Sequence, residues 1–182
     1  MEKAQGRACQ LMKNNLTQKE LKDALYYNKH TGEFVWKHRK DRTVQWNGRY
    51  PGTNCGCVGN EGYLVIWVNK VPYQAHRLAW LYEYGYWPDS PIDHINGNKE
   101  DNRIENLRLC TVAENRRNGK KHENNTTGFK GVNFEKRNGK YRARIMKNFK
   151  SYSLGYYDTA EEAYSVYCAA SEEYHGEFSR VE

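Results

Sequence analysis

IDHINGNKEDNRIENLRLCTVAENRRN, residues 92–118, gathers proton-transfer and metal-ligand side chains into one short polar stretch. Asp93 supplies a carboxylate and His94 an imidazole that titrates near neutrality. Asn102, Asn106 and Asn115 supply amide oxygens. Such a set suits a hard divalent cation beside a general base, and oxygen donors point to Mg²⁺ or Mn²⁺, as a single ion, rather than to zinc. The pair Asn96-Gly97 favours a tight turn. From Thr111 the chain has an N-cap residue with Glu114 three positions on, the form of a capping box. The expected unit is therefore strand, loop, strand, helix, able to bring Asn115 back across from Asp93 and His94. Neighbouring positions on a regular strand face opposite ways, so Asp93 and His94 share one phosphate only near a twist or a strand end.

Outward from this stretch towards the N-terminus, YQAHRLAWLY at 73–82 has apolar residues at helical spacing and stops before Gly85 and Pro88. His76 lies near the start of that predicted helix, where it serves either the site or the packing. Gly32–Lys37 and Gly62–Val68 read as strands separated by a Gly-, Asn- and Arg-rich loop. Trp36, Trp46 and Trp67 are expected to pack a thin core rather than to stack on bases. Thr17 and Glu20 form a further capping box, with Leu16 placed to staple onto Leu21, and the helix they open should run to about Tyr27.

The chain has 182 residues and a net charge of +7, with 14% aromatic residues. Its pI is about 9.1 and its mean hydropathy −1.04. It is too polar for a membrane protein and too aromatic for a disordered one. Between Arg116 and Lys150 there are twelve Lys or Arg against two acids, a local basic patch that suits a polyanion. The cysteines, Cys9, Cys55, Cys57, Cys110 and Cys168, are odd in number and contain no Cys-x-x-Cys pair, so a reducing, cytoplasmic compartment is expected. Cys55 and Cys57 with His76 match no common zinc spacing.

Towards the C-terminus, residues 120–127 are polar and aperiodic and mark a linker, with a boundary near residue 122. Gly128–Phe134, Lys140–Met146 and Lys150–Leu154 read as three strands, turning at Arg137-Asn138-Gly139 and around Lys147-Asn148. Thr159 and Glu162 cap a helix whose Ala163, Val166, Tyr167 and Ala170 face the core and which ends near His175-Gly176. Tyr141, Ala143 and Ile145 alternate with Arg142 and Arg144, so the arginines stand on the solvent face.

The motifs AHRLA at 75–79, IDHINGN at 92–98, DNRIENLRL at 101–109 and AEN at 113–115 resemble an HNH endonuclease of the phage- and intron-encoded homing group. That resemblance implies a ββα-metal fold, with His94 as general base, Asp93 as metal-binding carboxylate, Asn106 as the residue that orders the loop, and Asn115 as the last metal ligand. Asn115 stands where many members carry histidine, and an amide oxygen there suits Mg²⁺ better than zinc or nickel. His76 joins the expected catalytic set. The implied reaction is hydrolysis of a DNA phosphodiester to 5′-phosphate and 3′-hydroxyl ends, with nicking expected of one site per chain.

The segment from Asn125 to Arg180 is similar to the AP2 DNA-binding domain, which implies a three-stranded antiparallel sheet backed by one helix and docked in the major groove. Asn133, Arg137, Arg142, Arg144 and Lys150 are then its expected DNA contacts, while Arg77, Arg116 and Arg117 are expected contacts of the nuclease part. The expected class is thus α+β: a polar leader at 1–15, an HNH domain at 16–122 with its core motif at 75–118, and an AP2-like module at 123–182. The expected partner is double-stranded DNA, bound by a monomer with no membrane and no small-molecule cofactor, in a bacterial host cell. The alternative is a non-catalytic DNA-binding protein that keeps the HNH scaffold.

Overall fold

The computed structural model describes residues 16–117, 125–147 and 150–179. The polar leader, most of the expected linker and the Asn148 end of the last hairpin turn lie outside the described residues. The chain divides into two compact units, Met1–Leu109 and Cys110–Glu182.

In the first unit, helix α1 (Gln18–Ala24) opens on the Thr17 capping box, with Thr17 accepting from the Glu20 N–H and the Glu20 carboxylate accepting from the Thr17 N–H. Leu16 and Leu21 are both buried in the same core, as the staple requires. The helix does not reach Tyr27. Leu25–Tyr27 is instead strand β1, paired antiparallel with β2 (Phe34–Trp36). The reason is tertiary: Leu25 and Tyr27 are buried while Tyr26 is exposed, a period of two that only cross-strand pairing with β2 rewards.

A short helix, α2 (Val44–Arg49), follows, and then a three-stranded sheet of β3 (Cys57–Val58), β4 (Leu64–Val68) and β5 (Val71–Gln74). Strand β5 takes the first two residues of the helix predicted from Tyr73. Asn69 and Lys70 both have positive φ (51° and 68°) and close a two-residue hairpin that pairs Val68 with Val71. Helix α3 (Ala75–Tyr84) ends at Gly85, left-handed at φ 84°. It buries Leu78, Ala79 and Leu81 against Leu21, Leu25, Phe34 and Ile66. Strands β6 (Ile92–His94) and β7 (Leu107–Leu109) then pair antiparallel across a loop that contains the 3₁₀ turn Ile104–Asn106.

The second unit begins with helix α4 (Val112–Arg117), capped by Thr111 and Glu114 through reciprocal bonds of 3.2 and 2.7 Å. Its sheet runs β8 (Val132–Glu135), β9 (Lys140–Lys147) and β10 (Lys150–Tyr157), with β9 central and all pairs antiparallel. Helix α5 (Ala160–His175) opens on the Thr159–Glu162 capping box. Ala160 and Ala163 pack with Val132 and Ala143, and Tyr167 is also buried. Val166 and Ala170 are not among the fully buried residues of that helix. The opposite sheet face carries Asn133 beside Arg142, and Arg144 beside Ser153.

Candidate active site

Pairing of β6 with β7 sets Asp93 opposite Arg108 and His94 opposite Leu107. Both Asp93 and His94 are buried, at 5% and 4% exposure. Oδ2 of Asp93 accepts from Nε and Nη2 of Arg108 at 3.0 and 2.8 Å, a fork on a single oxygen. The charge of this buried carboxylate is therefore balanced within the hairpin.

His94 is fixed from the following loop. Nε2 lies 3.4 Å from Oδ1 of Asn102, while Nδ2 of Asn102 donates to the Glu100 carbonyl at 2.9 Å. That second bond turns the amide so that Oδ1 faces the imidazole. Asn102 is almost fully buried, and its backbone carbonyl accepts from the Tyr27 hydroxyl at 2.7 Å.

Aromatic rings enclose the imidazole. The His76 ring stands edge-on to His94 with centroids 5.1 Å apart, and the Tyr63 ring lies 5.1 Å from His76 and 5.9 Å from His94. Lys99 sits 4.6 Å over Tyr63 and donates to the Glu61 carbonyl at 2.7 Å. Burial, with smaller contributions from the charges of His94 and Arg77, pushes the His76 pKa down to about 3. His76 is thus neutral across the physiological range. Its Nδ1 has no hydrogen-bond partner. Burial also lowers the pKa of His94 from its usual 6.5, opposed by the Asn102 contact and by the charges of Asp93 and Asp101. A neutral imidazole at neutral pH is the form a general base needs.

Asn106 organises the loop. Its Oδ1 accepts from the Asn96 N–H at 3.0 Å, and its Nδ2 donates to Oδ1 of Asn96 at 3.0 Å and to the Asp101 carbonyl at 2.8 Å. With both amide hydrogens committed, its contribution is to loop shape. Asp101, held low at about 2 by the hydrogen bonds and charge of Arg103, receives Nδ2 of Asn96 at 2.7 Å.

Other expected site residues lie elsewhere. Arg77 is half-buried, donates to the Pro88 carbonyl at 3.2 Å and lies 5.8 Å over Trp87, so its guanidinium is engaged in packing. Asn115 is in α4 of the second unit, its N–H donating to the Thr111 carbonyl at 3.0 Å. The side chains of Arg116 and Arg117 lie outside the described residues. Asn133, Arg137, Arg144 and Lys150 are exposed, whereas Arg142 is half-buried, with Nε 3.3 Å from Ser153 Oγ and its guanidinium 5.7 Å over Tyr156. Among the described residues no three His, Cys, Asp or Glu side chains group to hold a metal, and that includes Cys55, Cys57 and His76. Asp93 still offers a hard carboxylate donor. With Arg108 already balancing that carboxylate, a cation fits best when an anionic phosphate enters with it.

The sequence profile of the HNH endonucleases matches residues 73–117, which contain His76, Asp93, His94, Asn102, Asn106, Arg108 and Asn115. Protein 3.8 of Escherichia phage T7 is 34% identical over 89 residues, which cover 49% of this chain and 73% of the phage protein. The chain carries an HNH endonuclease domain. A second relative, an uncharacterized HNH endonuclease of Acanthamoeba polyphaga mimivirus, is 34% identical over 125 residues, which span 67% of this chain and 63% of that protein. A solved structure described as DNA binding and cleavage by the HNH homing endonuclease I-HmuI aligns at 25% identity and a TM-score of 0.38, over 52% of this chain and 51% of the other.

Four residues of the HNH site go beyond the sequence reading: Arg108, Tyr63, Lys99, and Asn102 in its contact with His94. Arg108 was legible in principle, because Asp93 and Arg108 are opposite charges at mirrored positions of one hairpin. Tyr63 and Lys99 carry no local signal. They come to the site only through the return of β4 beside α3 and the bond from Lys99 to Glu61. No helix among the described residues is long and apolar enough to cross a membrane.

Proposed function

We propose that this HNH endonuclease hydrolyses a phosphodiester of double-stranded DNA to 5′-phosphate and 3′-hydroxyl ends, cutting one strand per event. Its general base is His94 and Asp93 is a carboxylate ligand of one Mg²⁺ or Mn²⁺, while the role of Asn115 as last ligand rests on the family resemblance alone. The observation that carries this reading is the burial of His94 beside Asp93 on β6, with Oδ1 of Asn102 3.4 Å from its Nε2. Burial among Tyr63 and His76 keeps the imidazole neutral, and the Asn106 network holds the loop that carries Asn102. The Arg108 guanidinium, beside Asp93, is placed to balance phosphate charge. A divalent ion, when bound, supplies Lewis-acid charge for the departing 3′ oxygen. The second unit, read as an AP2-like module, supplies targeting through Asn133, Arg137, Arg142, Arg144 and Lys150, because a catalytic unit that meets mainly phosphates specifies little sequence.

A second reading, a non-catalytic DNA-binding protein, draws on the ion pair that already occupies Asp93. Conversion of supercoiled plasmid in Mg²⁺ by wild type and His94→Ala separates the two, with folding checked by circular dichroism and binding by gel shift. The nuclease reading expects wild type to cut and the folded variant to bind without cutting. It also expects the wild-type rate to rise with pH through an apparent pKa below 6.5 and then level, since the lowered pKa makes His94 a base already in weak acid. If wild type binds without cutting, the non-catalytic reading takes its place.

A further inference from the structure

The excursion between β2 and β3 is used by none of the chemistry above. From Lys37 to Tyr50 it carries Lys37, Arg39, Lys40, Arg42 and Arg49 against the single acid Asp41. Not all of these cations are available. Lys37 Nζ donates to the Lys22 carbonyl at 2.6 Å, and Arg39 is buried, with its guanidinium on Asp41 and Asn69 at 2.7 Å each. Lys40 and Arg49 are exposed and have no hydrogen bond or ion pair among the described residues. Arg42 has only a 3.7 Å approach to Asp41.

An aromatic cluster lies beneath two of these cations, Arg42 and Arg49. Trp36 meets Trp46 edge-on at 5.5 Å, and Trp46 meets Tyr50 at 5.2 Å. The guanidinium of Arg42 lies 5.7 Å over Trp46 and that of Arg49 lies 5.5 Å over Tyr50. A guanidinium over a ring is attracted to its face and loses less freedom when it meets a partner. Beside them Val44 is 89% exposed. A merely solvated loop mixes charge signs and does not hold cations on a platform.

We propose that this excursion is a second nucleic-acid contact of the nuclease unit, in which the Trp36–Trp46–Tyr50 stack presents Lys40, Arg42 and Arg49 to the phosphate backbone of duplex DNA. Charge complementarity selects the partner. The inference rests on the endonuclease reading for its choice of DNA. Contacts of this kind position the duplex and read no bases.

The test is the salt dependence of duplex binding by the full chain, followed by fluorescence anisotropy in EDTA, for wild type, Lys40→Gln/Arg49→Gln and Lys19→Gln/Lys29→Gln. The last variant removes the same charge from exposed lysines elsewhere on the unit. Loss of two phosphate contacts should make the slope of log K against log salt shallower by about 2 and leave the control at the wild-type slope. Equal slopes in all three, or equal changes in both variants, overturn the proposal. Plasmid cleavage in Mg²⁺ by the same proteins keeps the two readings apart. Wild type that binds with the expected slopes and fails to cut removes the nuclease reading alone, whereas wild type that cuts while the slopes match removes only this contact.

Discussion

At the scale of single residues, the chemistry of His94 depends on a neighbour eight positions away and on what stands behind that neighbour. Asn102 directs Oδ1 at the imidazole because its own amide N–H₂ is taken by Glu100, and its backbone is pressed against Gly32. Gly32 has φ +77°, and a Cβ there would meet the Arg103 nitrogen at 2.6 Å and the Asn102 carbonyl carbon at 2.7 Å. Those obstacles are backbone, so they cannot rotate away. Gly32→Ala should therefore lower the melting temperature, with about 1–2 kcal/mol from the left-handed backbone alone. It should also slow plasmid cleavage at temperatures where the protein is still folded, because Asn102 must shift. An unchanged melt and an unchanged rate would show that Asn102 has slack and does not hold the base. His76 shows burial acting on a second imidazole: its ring stands edge-on to His94, and burial keeps it neutral.

At the scale of elements, the β6–β7 hairpin and the β8–β10 sheet use the same period of two for different ends. In the hairpin, cross-strand pairing brings Arg108 onto Asp93. In the sheet, Ala143 and Ile145 turn inward and leave Arg144 exposed, with Arg142 half-buried on the same face. Arg142→Ala/Arg144→Ala should weaken DNA binding by roughly 1–3 kcal/mol for each contact that reads a base, while metal-dependent cutting survives at high enzyme concentration. Titration by gel shift measures this, and an affinity equal to wild type would take both arginines off the DNA surface. Since Arg142 also touches Ser153 and lies over Tyr156, its loss should cost some stability of the sheet, whereas loss of Arg144 should not.

At the scale of the whole molecule, one chain of 21.4 kDa carries, among the described residues, one hairpin of this kind with its His94. One general base serves one phosphodiester at a time, so a monomer should convert supercoiled plasmid to the open circle, with linear product arising only from later, independent cuts. A time course at enzyme concentrations where light scattering reports monomer tests this. Linear duplex formed without an open-circle intermediate would mean two sites acting together. This chain spans 73% of one relative and 63% of the other.

The sequence by itself determined the chemistry-bearing stretch at 92–118, the three capping boxes at Thr17, Thr111 and Thr159, and the alternating strand of the second unit. Each of these is a local pattern: a cap needs two residues three apart, a strand face needs every second residue, and a motif needs only its own spacing. Tertiary structure alone decided what surrounds His94. Tyr63 reaches the site from a distant position in the chain, and the Arg39–Asn69 bond spans thirty residues. It also overrode local preference at Leu25–Tyr27 and at Tyr73 and Gln74, where pairing across strands satisfied backbone groups that a longer helix would have taken up. Long-range pairing is invisible to short windows because its energy appears only once both partners are in place.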